Sequence, residues 1–144
     1  MISRRHPLTR GTGGDDHILD LTEEVQARVA ESGVATGQAT LMVEGSTAAL
    51  TTLEFEPGLV EHDLADALEV VAPREGRYVH EETWHDDNGH SHVRAALVGP
   101  SLALPVLDGR IPLGTWQQVV LVDFDTRPRQ RSVHLVILGV AKAP

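Results

Sequence analysis

The chain has 144 residues, with 12 Lys and Arg against 21 Asp and Glu and a formal net charge of −9 with histidines neutral. The absence of cysteine excludes disulfides, zinc ribbons, iron–sulfur clusters and thiol catalysis, and the acidity argues against nucleic acid as a partner, because such binding rests on neutralising phosphates. The length suits one self-sufficient core; with no apolar run long enough for a membrane and no signal-peptide core, a soluble cytoplasmic protein is expected.

Residues 1–16 carry Arg4, Arg5 and Arg10 and end among glycines, so they read as an N-terminal edge strand and loop ahead of a single domain over 17–144. Asp20 with Glu23 fits a capping box, Leu21, Val25 and Val29 recur every four residues, and Gly33 supplies a stop; a helix is predicted at about 21–32. Residues 38–43 and 48–55 are strand candidates on either side of Glu44-Gly45-Ser46. Pro57 opens a second helix with Val60, Leu64, Ala67, Leu68 and Val71 on its apolar face, and Pro73 ends it. Residues 74–91 read as a long polar loop with a short strand around 77–80. Strands are then expected at 93–98, 101–107, 117–124 and 132–140, parted by Gly99-Pro100, Asp108-Gly109 and the 125–131 turn. This order predicts an α+β fold with a largely antiparallel sheet.

Four of the eight histidines, His80, His85, His90 and His92, crowd into this polar stretch. On a strand, His90, His92 and Arg94 would share one face, and two imidazoles there with His80 as a third could grip a divalent metal. Zinc suits imidazole best, and Asp86 and Asp87 keep magnesium as a second choice. The plainer alternative is a hydrated polar surface. Gly114-Thr115-Trp116-Gln117 offers backbone N–H groups and a hydroxyl to an anion, or else is a plain turn with Trp116 as a core anchor. Arg127, Arg129 and Arg131 alternate across a turn after acidic Asp123 and Asp125 and could hold a phosphate or carboxylate, or form a solvated hairpin tip with local ion pairs. Glu54 and Asp63 could act as a base or position one, or lie on the surface. Gly11-Thr12-Gly13-Gly14 lacks the third glycine of a dinucleotide fingerprint, and there is no P-loop, so no nucleotide cofactor is expected.

Several strings fall in a recognisable order: Gly45-Ser46-Thr47-Ala48-Ala49-Leu50-Thr51, Glu54, Asp63, Tyr78-x-His80, His92 through Gly99, Leu113-Gly114-Thr115-Trp116-Gln117, Arg129-x-Arg131 and Leu138-Gly139. In order and spacing the chain resembles the YjbQ family, also called secondary thiamine-phosphate synthases, from about residue 17 to 141. The resemblance implies an α+β fold with two helices and a homotrimer with sites near subunit boundaries. It also implies a weak synthase activity that joins a pyrimidine methyl pyrophosphate to a thiazole phosphate and releases pyrophosphate. Such a reaction needs donors for two anionic substrates.

The candidate site then comprises Glu54, Asp63, His80 and His92 as catalytic groups, and His80, His90 and His92 as metal ligands. Ser46, Thr47, Asn88, Gly114, Thr115, Gln117, Arg129 and Arg131 would bind a phosphorylated small molecule. Gly45 stands where most of the family has histidine and Leu53 replaces an asparagine; His90 is the candidate substitute for the lost imidazole. The alternative is a non-enzymatic trimeric metal- or metabolite-binding protein.

Overall fold

Alternating apolar residues in the strands, and an unbroken apolar run in one of them, build two antiparallel sheets around a shared interior. The computed structural model describes residues 1–142, so the last two residues of the expected 17–144 domain lie outside the described residues. In chain order the strands are β1 (Ile2–Thr12), β2 (His17–Asp20), β3 (Thr36–Val43), β4 (Ala48–Leu53), β5 (Ser101–Leu107), β6 (Gln118–Asp123) and β7 (Arg129–Val140). One sheet has the order β1-β7-β3-β5 and the other β2-β6-β4. The α+β, antiparallel architecture is the one expected, and β1 is an edge strand that pairs with β7 along its whole length, from Ile2↔Gly139 to Thr12↔Arg129.

The inward residues of β7 and β3 alternate as a half-buried sheet requires: Val133, Leu135 and Ile137 meet Ala39, Leu41 and Val43 in the interior. In β6, Val119 and Leu121 face this core while Val120 and Val122 pack on the other side with Leu68 and Ala95. A strand covered on both faces has no polar alternation to show, which is why its sequence is a continuous apolar run.

The first helix, α1 (Thr22–Glu31), buries Val25 and Val29 as expected. Its start differs in detail: Leu21 occupies the cap position, and the Asp20 carboxylate accepts from the Thr22 N–H at 2.8 Å. The second helix begins with a π-helical turn over Leu59–Asp63 and continues as α2 (Leu64–Val71). Two further helices replace expected loop and strand: α3 (Val79–Trp84) replaces the strand around 77–80, and α4 (Gly89–Val98) replaces the strand at 93–98. Among the described residues the helix count is therefore four rather than two. The buried set of α4 is Gly89, His90, Ser91, Arg94 and Ala95. Its spacing is helical, but three of its members are polar, so apolar periodicity did not reveal it. Gly99, with φ +100°, and Pro100 end the helix.

Candidate functional site

The β4–β6 ladder sets the geometry of the site. Ala48 pairs with Asp123 at one end and Leu53 with Gln118 at the other. At ~3.3–3.4 Å per residue the two ends are about 17 Å apart. The expected site residues divide between these ends.

At the first end lie the Gly45–Thr47 turn, the start of β7 and the N-terminal half of α4. Arg131 is buried; its Nε donates to Asp123 Oδ2 and its Nη2 to Asp123 Oδ1, both at 2.7 Å. The same Nη2 donates to Thr47 Oγ1 at 2.7 Å, and Thr47 Oγ1 in turn donates to Asp125 Oδ2 at 2.9 Å. Thr12 also donates to Asp123, and Arg129 Nε to Asp125 Oδ2 at 2.9 Å. Burial alone would raise both aspartate pKa values. Hydrogen bonds from Arg131 and Thr12 to Asp123, and from Arg129 and Thr47 to Asp125, outweigh it and hold both below the ordinary carboxylate range.

This network separates the three arginines: Arg127 and Arg129 keep the solvated tip with local ion pairs, to Asp87 and Asp125, and Arg131 does not. Arg127 and Arg129 are exposed, whereas Arg131 is a buried partner of Asp123 with only Nη1 uncommitted. Thr47 is likewise buried within the network, so the free hydroxyl of the turn belongs to exposed Ser46. Gly45 has φ +109°, a conformation that strains any other residue, and its open side faces Arg131 Nη1, 2.8 Å from where a Cβ would stand.

The histidines separate. His80 and His92 come together with ring centroids 4.3 Å apart, and His80 Nε2 lies 3.4 Å from Asp86 Oδ1. His92 lines a cavity of about 250 Å³ with Gly45, Ser46, Ala48, Ala95 and Pro100, which joins the imidazole pair to the Ser46 turn. His90, two residues away on a helix rather than a strand, points to a different side, about 200° round. It is buried against Tyr78, its ring 6.3 Å from the tyrosine ring. Burial, Arg94 and Arg74 lower its pKa, so the ring is neutral at neutral pH. The expected His80, His90 and His92 triad therefore does not converge, and among the described residues of one chain no group of three or more His, Asp or Glu is placed to hold a metal. Asn88 sits before α4, its amide within 3.2 Å of Asp86 when oriented to donate.

A family model described as UPF0047 protein YjbQ-like matches residues 7–140. The chain belongs to the YjbQ family. A UPF0047 protein of Methanocaldococcus jannaschii is 31% identical over 128 residues, covering 89% of each chain. A UPF0047 protein of Mycobacterium tuberculosis is 38% identical over 120 residues, 82% of this chain and 86% of its own. Among solved structures, a hypothetical protein of Aeropyrum pernix K1 superposes with TM-score 0.86 at 31% identity, covering 95% of this chain and 99% of that one. A Sulfolobus solfataricus protein described as of unknown function gives TM-score 0.84 at 28% identity, over 96% and 99% of the two chains.

In this YjbQ-family chain the second end of the ladder carries Glu54 and the 114–117 turn, whereas Asp63 lies on the π-helical turn over Leu59–Asp63 and is not joined to either. Gln117 closes that turn: its Oε1 accepts from the Gly114 N–H at 3.1 Å and its Nε2 donates to Thr52 Oγ1 at 3.0 Å. Gly114 and Thr115 are exposed, as are Glu54 and Asp63. Trp116 is 70% exposed, which corrects its reading as a core anchor of the chain. Sequence reasoning noted Asp123 and Asp125 ahead of the arginines and Arg94 beside the histidines but did not include them in the site. The signal available for the aspartates was their i, i+2 spacing at the end of an otherwise apolar strand, opposite three alternating arginines.

Proposed function

We propose that this protein binds a phosphorylated small molecule at a site shared between subunits of a homotrimer, and that it has weak thiamine-phosphate synthase activity. The observation that carries this reading is the division of the site. Ser46, Arg129, the free Nη1 of Arg131 and the His80–His92 pair lie at one end of β4. Glu54 and the Thr115–Trp116 turn lie about 17 Å away at the other. The guanidinium and imidazole donors gather at the first end and the exposed carboxylate of Glu54 at the second. Juxtaposing the first end of one subunit with the second end of the next supplies both, and it covers exposed Trp116.

In that arrangement Arg129 and Ser46 orient the diphosphate, and Arg131, fixed by Asp123, adds one N–H. The methylene carbon–oxygen bond to the diphosphate breaks as the thiazole nitrogen forms a new bond to that carbon, and pyrophosphate leaves on the guanidinium donors. His92, close to Ser46 in the same cavity, is placed to donate a proton to the departing oxygen. A divalent ion, zinc first and magnesium second, would find two imidazoles in one chain and would need its third ligand from the neighbouring copy.

The test is formation of thiamine phosphate from the two phosphorylated halves, followed by separation of the product. Slow turnover that falls at least tenfold in both Ser46→Ala and Arg129→Ala supports the reading. Saturable pyrophosphate binding with no product at all would leave the non-enzymatic binding protein as the correct function.

A further inference from the structure

The turn at Gly114–Gln117 holds a large ring out into solvent on a fixed support. Gln117 does the fixing: its backbone N–H donates to the Gly114 carbonyl at 3.0 Å, its Oε1 accepts from the Gly114 N–H at 3.1 Å, and its Nε2 donates to Thr52 Oγ1 at 3.0 Å. Trp116 is nonetheless 70% exposed, with Pro112, Gly114 and Thr115 exposed beside it. No residue from Ile111 to Val122 is charged, in a chain that is 23% charged. A rigidly held, uncharged projection of this kind has the form of an interface anchor, because Trp residues seated in a partner's pocket dominate binding and charge is depleted around them.

The outward side of α4 is its counterpart. Val93, Ala96 and Leu97 sit at i, i+3 and i+4 on that helix and are all exposed, Leu97 by 60%. Ala96 and Pro100 also line the cavity of about 250 Å³ that His92 shares with Ser46, so this apolar stripe forms the lip of the cavity. No residue from Ala95 to Leu107 is charged. Within one chain the ring and the lip do not meet. Trp116 is not a wall of the cavity, and the Gln117–Thr52 bond holds its turn at the far end of the β4–β6 ladder, about 17 Å from Ala48. Trp84 is equally exposed but lies on α3, whose His80 packs on His92, so it belongs to the same end as the lip.

We propose that Trp116 of the partner subunit seats on the Val93–Ala96–Leu97 lip and forms a wall of the His92 cavity. The inference rests on the shared-site reading and names the contact through which the two ends meet. A projection on one surface and a lip on another make a heterologous contact, which repeats head to tail and closes into a ring. The indole then bounds the space beside Ser46 and His92 with a flat face, on which a planar heteroaromatic group is held by stacking.

Because the chain has no cysteine, cross-linking reads the contact directly. Leu97→Cys, Thr115→Cys (next to the ring) and the double variant are treated as full folded chains with a short bis-maleimide, and the products are separated under denaturing conditions. The expected result is linked dimers and trimers from the double variant and monomer alone from each single variant. Thr115→Cys combined with Val70→Cys, at a position 84% exposed on α2, is the control and should stay monomeric on the gel. In addition, Leu97→Glu should lower the mass by light scattering to the 15.6 kDa of one chain. A trimer by light scattering whose double variant does not cross-link, or a Leu97→Glu protein that keeps its mass, overturns the inference and leaves the shared-site reading standing. Linking by Leu97→Cys alone, or equally by the control pair, overturns it too. A monomer by light scattering overturns both.

Discussion

Arg94 has no solvent exposure, yet all its donors are satisfied: Nη1 reaches Asp16 at 2.7 and 3.0 Å, Nη2 reaches Glu69 at 2.6 Å, and Nε and Nη2 reach the Ala72 carbonyl at 3.0 and 2.9 Å. It ties α4 to the end of α2 and to the loop before β2. Replacing it by Met would leave Asp16 without its buried partner, and breaking such pairs costs ~3–5 kcal/mol. Urea unfolding of Arg94→Met should show a loss of that size; a loss below ~1 kcal/mol would mean that the network is slack. Titration gives a second residue-scale prediction. His90 has a lowered folded pKa, so the unfolded chain takes up its proton first, and stability should decline as pH falls from ~6.5 towards that lower value. His90→Gln should flatten this part of the urea-midpoint profile; an identical slope in both proteins would contradict the assignment. Asp123 and Asp125, also lowered, contribute stability above ~4 that is lost only at more acid pH, through their own folded pKa values.

At the scale of elements, β3, β5, β6, β7 and α1 were legible because each presents an apolar pattern of period two or of helical spacing, or an unbroken apolar run. α4 was not. His90, His92 and Arg94 alternate with Val93, Ala95 and Leu97 as a strand would, and the side that faces inward includes a buried histidine and a buried arginine, the latter's partners coming from α2 and the loop before β2. Those partners, Asp16 and Glu69, cannot be read from local sequence. The same holds for Arg131, whose role is set by Asp123. The Ser46, His80 and His92 grouping was recognisable as a set of residue types, although the geometry that joins them is helical. β2 was absent from the reading because four residues between a glycine loop and a helix carry too little pattern. The stop of α4 is testable. Gly99 has φ +100° and open space where a side chain would go, so Gly99→Ala should cost ~1–3 kcal/mol from backbone strain alone, by urea unfolding. A neutral substitution would show that the chain can leave the helix by another route.

At the scale of the molecule, the two ends of the β4–β6 ladder and the exposed Trp116 are what the proposed assembly, in which subunits complete one another's sites, would bring together. Light scattering at micromolar concentration should give about three times the 15.6 kDa of one chain. Trp116 fluorescence should shift to the red on dilution below the assembly concentration; an unchanged spectrum would leave that ring outside the interface. The most direct test mixes two variants, His92→Ala at one end of the ladder and Glu54→Gln at the other, and measures formation of thiamine phosphate. Each variant alone should turn over at least tenfold more slowly than the unaltered protein. In co-refolded mixtures, random pairing restores about one quarter of the sites, because one in four boundaries joins two intact ends. Recovery near that fraction is the expected result, and no recovery in mixtures of confirmed mixed assemblies would contradict a site shared between subunits.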